Sequence, residues 1–476
     1  MISTYSLQAN CDIMNRVAKF LDSQDVLNLK LCNKYYHNNI KFYSVRINSN
    51  KIEFIHNSDY TKILHINYGC AKNIMDKIIR SFGNIKVLNI NYIKNITDLN
   101  YLTKLRVLYA NSTNITTESI KNCVNIEELH ISHNKNIVDL NHLIKLRRLY
   151  ANLTNISSDS IKNCVNIEEL HIPNNRHNSN FNHLINLRSL DISYNSNIRI
   201  DSIKNCTNIE ILNINYNKNI IDLNCFTKLR ILKAFYIDNI TNDSIKNCIN
   251  IEKLYISSIA NNINLNHLTK LQTLYAYSSN ITTDSIKNCI NIKKLRISKS
   301  KNIIDFNQLP NLKSLQVYSS NITTESIKNC INLTHLKIND NTNILDLNNL
   351  TNLHTLHVHD SLLPNESIKN CVNIEKLYLY NSDGITDLNH LTKLNTLYVS
   401  STNLNNDSIK NCTNIEELCI IDNYKITCLN HLTKLRILDI SDTMLDDKAI
   451  KNCTSIEELY INGNHIEDIN HLPKFW

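Results

Sequence analysis

Leucine opens a short Leu-x-aliphatic triplet nineteen times between Leu88 and Leu459, at intervals of 20 residues alternating with 21 or 22. Around each triplet apolar and polar positions alternate. Leu129 and Ile131 fall on one side of an extended segment, and Glu128, His130 and Ser132 fall on the other. The pattern predicts about nineteen or twenty short strands, each with an apolar side that builds a core and a polar side that meets solvent. A slower beat lies over it. Ser-Ile-Lys-Asn-Cys occurs eight times, first at Ser119 to Cys123, and a ninth copy reads Ala449-Ile-Lys-Asn-Cys453. Its isoleucines, Ile120 to Ile450, fall 41 or 42 residues apart, so one unit is two coils and the chain is a stacked array.

The segments between strands are of two kinds. Ile385 to Leu394 reads I-T-D-L-N-H-L-T-K-L, a turn-rich connection, whereas the other kind reads T-N-I-T-T-D-S-I-K-N-C. In the second, Thr283 is placed to cap a helix whose first turn holds Asp284, with room for only about two helical turns before the next strand. The expected fold is α/β, a solenoid with a parallel concave sheet and short helices or tight turns on the convex side. Four glycines in 476 residues are few for so many turns. Asparagine is expected to take the left-handed positions instead.

Residues Ile126 to Asn134, I-E-E-L-H-I-S-H-N, match the L-x-x-L-x-L-x-x-N pattern, and the array resembles leucine-rich repeats. Residues 1 to 45 carry no copy. There Leu7, Ile13, Met14, Val17, Phe20 and Leu21 follow helical spacing, Asp22 to Asp25 breaks it, and Val26, Leu27, Leu29 and Leu31 follow: a bundle of about three helices. Leu7 to Tyr36, ending Leu31-Cys32-Asn-Lys-Tyr-Tyr36, resembles an F-box, with Gln8 where that family usually has proline. The order of the two parts is similar to the F-box/leucine-rich-repeat family, and with the composition to such proteins encoded by giant DNA viruses.

That resemblance implies a substrate-recruiting subunit of a cullin-type ubiquitin ligase. Leu7, Ile13, Val17, Leu21, Val26 and Leu27 would dock a Skp-type adaptor, and the repeats would hold an unidentified target protein. The alternative is that these residues form the core of a helical cap on the open edge of the array, leaving a protein-binding scaffold with no ligase role. Val45, Ile47, Leu64 and Ile66 look like degenerate first coils. The domains are therefore 1–45, an F-box-like head; 46–84, a junction; and 85–476, the array.

A partner is expected on the middle residue of each triplet, because that position varies while its neighbours do not. Tyrosine holds it seven times, and tyrosine and arginine bury large area with few rotamers while keeping a polar tip. The candidates are Tyr109, Tyr150, Tyr255, Tyr275, Arg296, Tyr378, Tyr398 and Tyr460; Tyr255 with Tyr275 and Tyr378 with Tyr398 fall on adjacent rungs. Strand propensity alone also favours tyrosine on a pleated, half-exposed surface.

Other columns are weaker sites. Nine of the fifteen cysteines recur every second coil, about 10 Å apart, beyond the ~7 Å that a disulfide spans. They are expected to be buried, reduced thiols, as in a reducing compartment. Each lysine of the Ser-Ile-Lys-Asn-Cys column follows an acid by three residues, or by four at Lys451, and the net charge of +8 is spread along the chain, which argues against a nucleic-acid track. His142, His183, His267, His390, His431 and His471 repeat at one coil position, too far apart to share a metal. No nucleophile elbow, P-loop, HExxH or paired-carboxylate motif stands out, so neither catalysis nor a cofactor is expected. There is no apolar run of membrane-spanning length, and Met1 to Asn10 has no signal-like core. The expectation is a cytoplasmic protein (in a host cell, if viral), monomeric outside its complex, with no nucleic-acid or membrane partner.

Overall fold

The computed structural model describes residues 44–47, 62–66 and 83–472, apart from 176, 178, 238, 239, 258–262, 279, 280, 300–304, 464, 465, 467, 468 and 471. The chain divides into two compact units, Met1–Lys233 and Ala234–Trp476. All six adaptor-docking candidates, Leu7 to Leu27, lie outside the described residues, as does His471.

Each unit repeats one device. In the first, strands pair in parallel from Ser44–Ile47 with Ile63–Ile66, through Val87–Asn89, to Ile211–Asn213 with Ile231–Ala234. In the second, the pairing runs from Lys253–Ser257 with Thr273–Tyr277 to Ile437–Ser441 with Glu458–Asn462. The register places leucine against leucine, as at Leu108, Leu129 and Leu149, or Leu274, Leu295 and Leu315. With side chains alternating across each strand, that register sends every triplet leucine into one interior. Leu129, Ile131, Leu295 and Ile297 are all buried, and each coil covers its neighbour's apolar side. Phe181, Phe226 and Phe306 replace leucine at the far wall of the core and are wholly buried.

The Ser-Ile-Lys-Asn-Cys beat is a closure for the back of the coil. In its first described copy, Ser119 Oγ accepts from the Thr116 amide (2.9 Å) and Thr116 Oγ1 accepts from the Ser119 amide (3.2 Å), a reciprocal cap on one helical turn. Ile120 and Cys123 enter the core, and the Cys123 thiol donates to the Leu99 carbonyl (3.2 Å). Asn100 of the preceding coil ties the turn down, donating to the Glu118 carbonyl (2.7 Å) and accepting from the Asn122 amide (2.8 Å). Backbone groups at a helix end need partners, and here side chains of the preceding coil supply them. That coupling explains why the motif barely varies.

The structure corrects three local expectations. The helices have one turn each, mostly 3-10, as at Glu118–Ile120 and Asp159–Ile161. The cap of Thr283–Ile286 is Thr282, whose side chain accepts from Ser285, so Thr283 is the first helical residue. Asparagine does not stand in for glycine: of seventeen described non-glycine residues with positive φ, only Asn174 and Asn381 are asparagine, against Tyr92, Ser112, Lys299 and Asp360 among the others. Ladder bonds hold the left-handed residue whatever its side chain, for example the amide of His133 to the Asn152 carbonyl (2.8 Å). Asparagine sits one residue later. Buried Asn134 donates to Thr113 Oγ1 (3.0 Å) and the Ile115 carbonyl (3.1 Å) and accepts from the Asn136 amide (3.0 Å), satisfying backbone that no strand reaches.

Among the described residues no helix is long and apolar enough to cross a membrane.

Candidate functional site

Three positions per strand face outward: the residue before the triplet leucine, the residue after it, and the one two further on. In the first unit they assemble a closed ladder of rings. Tyr109, His130, Tyr150 and His171 succeed one another at centroid spacings of 4.4, 4.2 and 4.6 Å, with His130 and Tyr150 only 7° from parallel. The acids beside them are consumed. Glu128 meets His130 Nε2 (2.8 Å), accepts from Arg148 Nε (2.7 Å) and stands 3.4 Å from the Tyr109 hydroxyl, while Tyr150 donates to Glu169 (2.8 Å). Burial opposes ionisation of Glu128, but hydrogen bonds from His130 and Arg148 outweigh it and hold the carboxyl below its usual range. Burial, reinforced by Glu169, pushes the Tyr150 hydroxyl up to about 12.

The second unit has a different surface. Tyr255 and Tyr275 meet edge to face at 5.0 Å, and Phe235 stands against Tyr255 and Tyr277. The Arg296 guanidinium lies between the rings of Tyr277 (4.9 Å) and Tyr318 (4.7 Å), with the Lys337 ammonium over the far side of the row, 5.6 Å from Tyr318. His357 stacks on Tyr378 at 3.9 Å, and Tyr378 on Tyr398 at 4.9 Å. Tyr460, on the strand Glu458–Asn462, is exposed and donates to Glu458 (2.9 Å).

The eight partner-contact candidates thus fall into five places: Tyr109 and Tyr150 in one ladder, Tyr255 with Tyr275, Arg296 by itself among rings, Tyr378 with Tyr398, and Tyr460 apart. His130, His171 and His357 are triplet middle residues, where a partner is expected, but are not among the eight candidates; sequence reasoning missed Tyr277 and Tyr318. The signal was present in the alternation, since residues two apart on a strand share a face and Tyr277 lies two beyond Tyr275.

The columns behave as backbone partners. The Cys123, Cys164, Cys289 and Cys412 thiols all donate to buried carbonyls near 3.2 Å, and burial pushes each up to about 12. His142, His267 and His390 each meet an isoleucine carbonyl of the preceding coil, at 3.0–3.1 Å. Lys121 pairs with Glu118 (3.2 Å), and Lys204, Lys287, Lys328 and Lys369 pair likewise with the acid three residues earlier. One mixed cluster stands outside the columns. Asp340, His359 and Asp360 bring one donor atom each within 4.8 Å of the others, but Ser319 already donates to Asp340 (3.1 Å) and Asn381 to Asp360 (3.0 Å). His359 Nδ1 lies 2.7 Å from Asp360 without the alignment of a hydrogen bond.

Solved structures share this architecture. The TLR13–ssRNA13 complex superposes with a TM-score of 0.59 at 16% identity, over 89% of this chain and 69% of that one. The plant peptide hormone receptor RGFR1 in complex with RGF2 gives 0.49 at 17%, over 89% and 77%. The Leptospira interrogans LRR protein LIC12759 gives 0.42 at 18%, over 85% and 98%. At these identities the likeness is one of fold: the chain is a leucine-rich-repeat solenoid. No protein-family model and no curated protein matches the chain, so the F-box resemblance of residues 7–36 stands on those residues alone.

Proposed function

We propose that the chain is a protein-interaction scaffold that holds a partner against the outward face of its repeat sheet. The observation that carries this is the division of labour within each coil. Core, cap and turn residues are spent on the fold, whereas the outward rungs vary and carry aromatic side chains at fixed spacing, notably Tyr378 on Tyr398 at 4.9 Å. Rigid rings with a polar tip supply contact area at little entropic cost. The test is affinity capture from cytoplasm with the wild-type chain, a Tyr378→Ala/Tyr398→Ala variant and, as control, Ile290→Ser on an exposed site of the opposite surface. A partner kept by the control and lost by the double variant is the expected result; one kept by all three overturns the proposal.

The ligase role is the finer form of the reading. It rests on the resemblance of Leu7 to Tyr36 to an F-box, with 1–45 as a separate head and 46–84 as a junction. Parallel pairing of Ser44–Ile47 with Ile63–Ile66, and of the latter with Val87–Asn89, supports degenerate coils in that junction. Protonated, buried thiols support a reducing, cytoplasmic setting. Deleting residues 1–45, or charging Val17 and Leu27, should remove a Skp-type adaptor from the captured material while leaving the target. If no adaptor is captured by the full chain, the scaffold reading stands without it.

A further inference from the structure

The outward positions of the second unit are electrostatically uneven. From the strand Lys253–Ser257 to the strand Lys376–Tyr380 they carry Lys253, Lys294, Arg296, Lys337 and Lys376 and no carboxylate. Among the described residues none of the five forms an ion pair; the pairs of this unit lie elsewhere, as at Lys287–Asp284 and Arg436–Glu457. Acids flank it: Glu252 and Glu375 directly precede Lys253 and Lys376, and Asp340 and Asp360 lie on the turns beyond the strand ends. On the last strands of the unit the sign reverses, with Glu417, Asp439 and Glu458 outward. The basic stretch is felt by its neighbours: burial lowers His357 to about 4, with Lys337 and His335 adding to the effect.

Arg296 is the fixed point of this stretch. Its guanidinium is sandwiched by Tyr277 and Tyr318, and its buried Nε has no hydrogen-bond partner among the described residues. Nε is closed off from solvent, so an incoming carboxylate meets the guanidinium at its Nη end.

Spacing then selects the anion. Cationic positions recur two strands apart from Lys253 to Lys294 and from Arg296 to Lys337, a repeat of about 9.6 Å, whereas Lys376 lies four strands beyond Lys294 with His335 between them. A polyproline-II chain rises ~3.1 Å per residue with three residues per turn, returning a side chain to the same side every ~9.3 Å. Bases of a single-stranded nucleic acid need open ring faces, and here Tyr277 and Tyr318 cover Arg296 while His357 covers Tyr378. We propose that this face binds an extended acidic segment of a partner protein, with Asp or Glu at every third residue, one carboxylate on Arg296 and the next on Lys337. The proposal rests on reading the face as a protein-binding surface and names the chemistry of the partner.

The experiment is fluorescence anisotropy on the full chain with a labelled peptide of four Glu-Pro-Ser triplets, beside an isomer of the same composition with its glutamates clustered. The expected result is binding of the triplet peptide that weakens with salt, a clustered isomer about tenfold weaker, and a loss of about tenfold in each of Arg296→Gln and Lys337→Gln. Lys337→Gln carries the test alone where Arg296→Gln lowers the melting temperature. Equal binding of the two isomers, unchanged binding by the variants, or tighter binding of an oligothymidylate of equal charge overturns the proposal. If the triplet peptide fails while tyrosine-dependent capture from cytoplasm succeeds, only the acidic partner falls; if both fail, the scaffold reading falls with it.

Discussion

In the first unit the outward side chains satisfy one another, whereas in the second the same strand positions hold charges with nothing opposite them. Glu128 is gripped by Arg148 and His130, and Glu169 by Tyr150, beside a row of four rings. Arg296 and Lys337 are also packed on rings, but no carboxylate joins them. Identical register and identical core thus support two kinds of face. Polar satisfaction, not backbone geometry, separates a surface that braces the fold from one left open to a ligand.

The largest test of that contrast removes the hub of the closed ladder. Glu128→Ala strips acceptors from Arg148, His130 and Tyr109 at a carboxylate only 14% exposed, and should cost about 2–3 kcal/mol. Lys376→Ala, the matching strand position in the second unit, should stay within ~0.5 kcal/mol. Urea midpoints at constant slope would measure both. Equal costs would erase the distinction between the two faces.

That distinction was only half legible in the sequence. Periodicity alone exposed the strands, the parallel register and the buried thiols, because each demands one residue type at one interval: Leu129 beneath Leu149, Cys123 two coils before Cys164. Pairings across coils were opaque. Glu128 and Arg148 are twenty residues apart, and nothing in either coil alone says that they meet. The left-handed turn was misread for a related reason. Tyr92 and Lys299 tolerate positive φ because a neighbouring coil's carbonyl holds their amide, a tertiary constraint that local propensity does not carry. The tyrosine rungs were found, yet Tyr277 and Tyr318 were passed over, since only one of the three outward positions was followed.

A smaller effect comes with acid. His357 takes a proton near pH 6.5 when unfolded but only near 4 in the folded chain, where burial and the Lys337 charge oppose it. The unfolded form therefore binds the proton first as pH falls. Stability present above pH 6.5 should drain away between 6.5 and 4, by on the order of 2 kcal/mol after allowance for partial exposure. His357→Gln should flatten that segment of the stability profile. Loss in the first unit should persist further down, because Glu128 is held ionised below the usual carboxylate range. A profile unchanged by His357→Gln would show that neither the burial of this residue nor the charges around it oppose its protonation.

The subtlest contrast is one of sign. Lys294 has Lys253 about 10 Å away, two strands back, and Arg296 on its own strand, so its charge raises the energy of the folded unit. Lys294→Gln should stabilise by a few tenths of a kcal/mol at low ionic strength. The gain should vanish near 0.5 M salt, where screening is effective within a few ångströms. Arg148→Gln, which deprives Glu128 of its partner in the first unit, should destabilise instead and keep most of that cost in salt, because the pair is partly buried. A stabilising Arg148→Gln, or a destabilising Lys294→Gln, would mean that the open face of the second unit is braced by contacts of its own, and the reason to look there for an anionic partner would be gone.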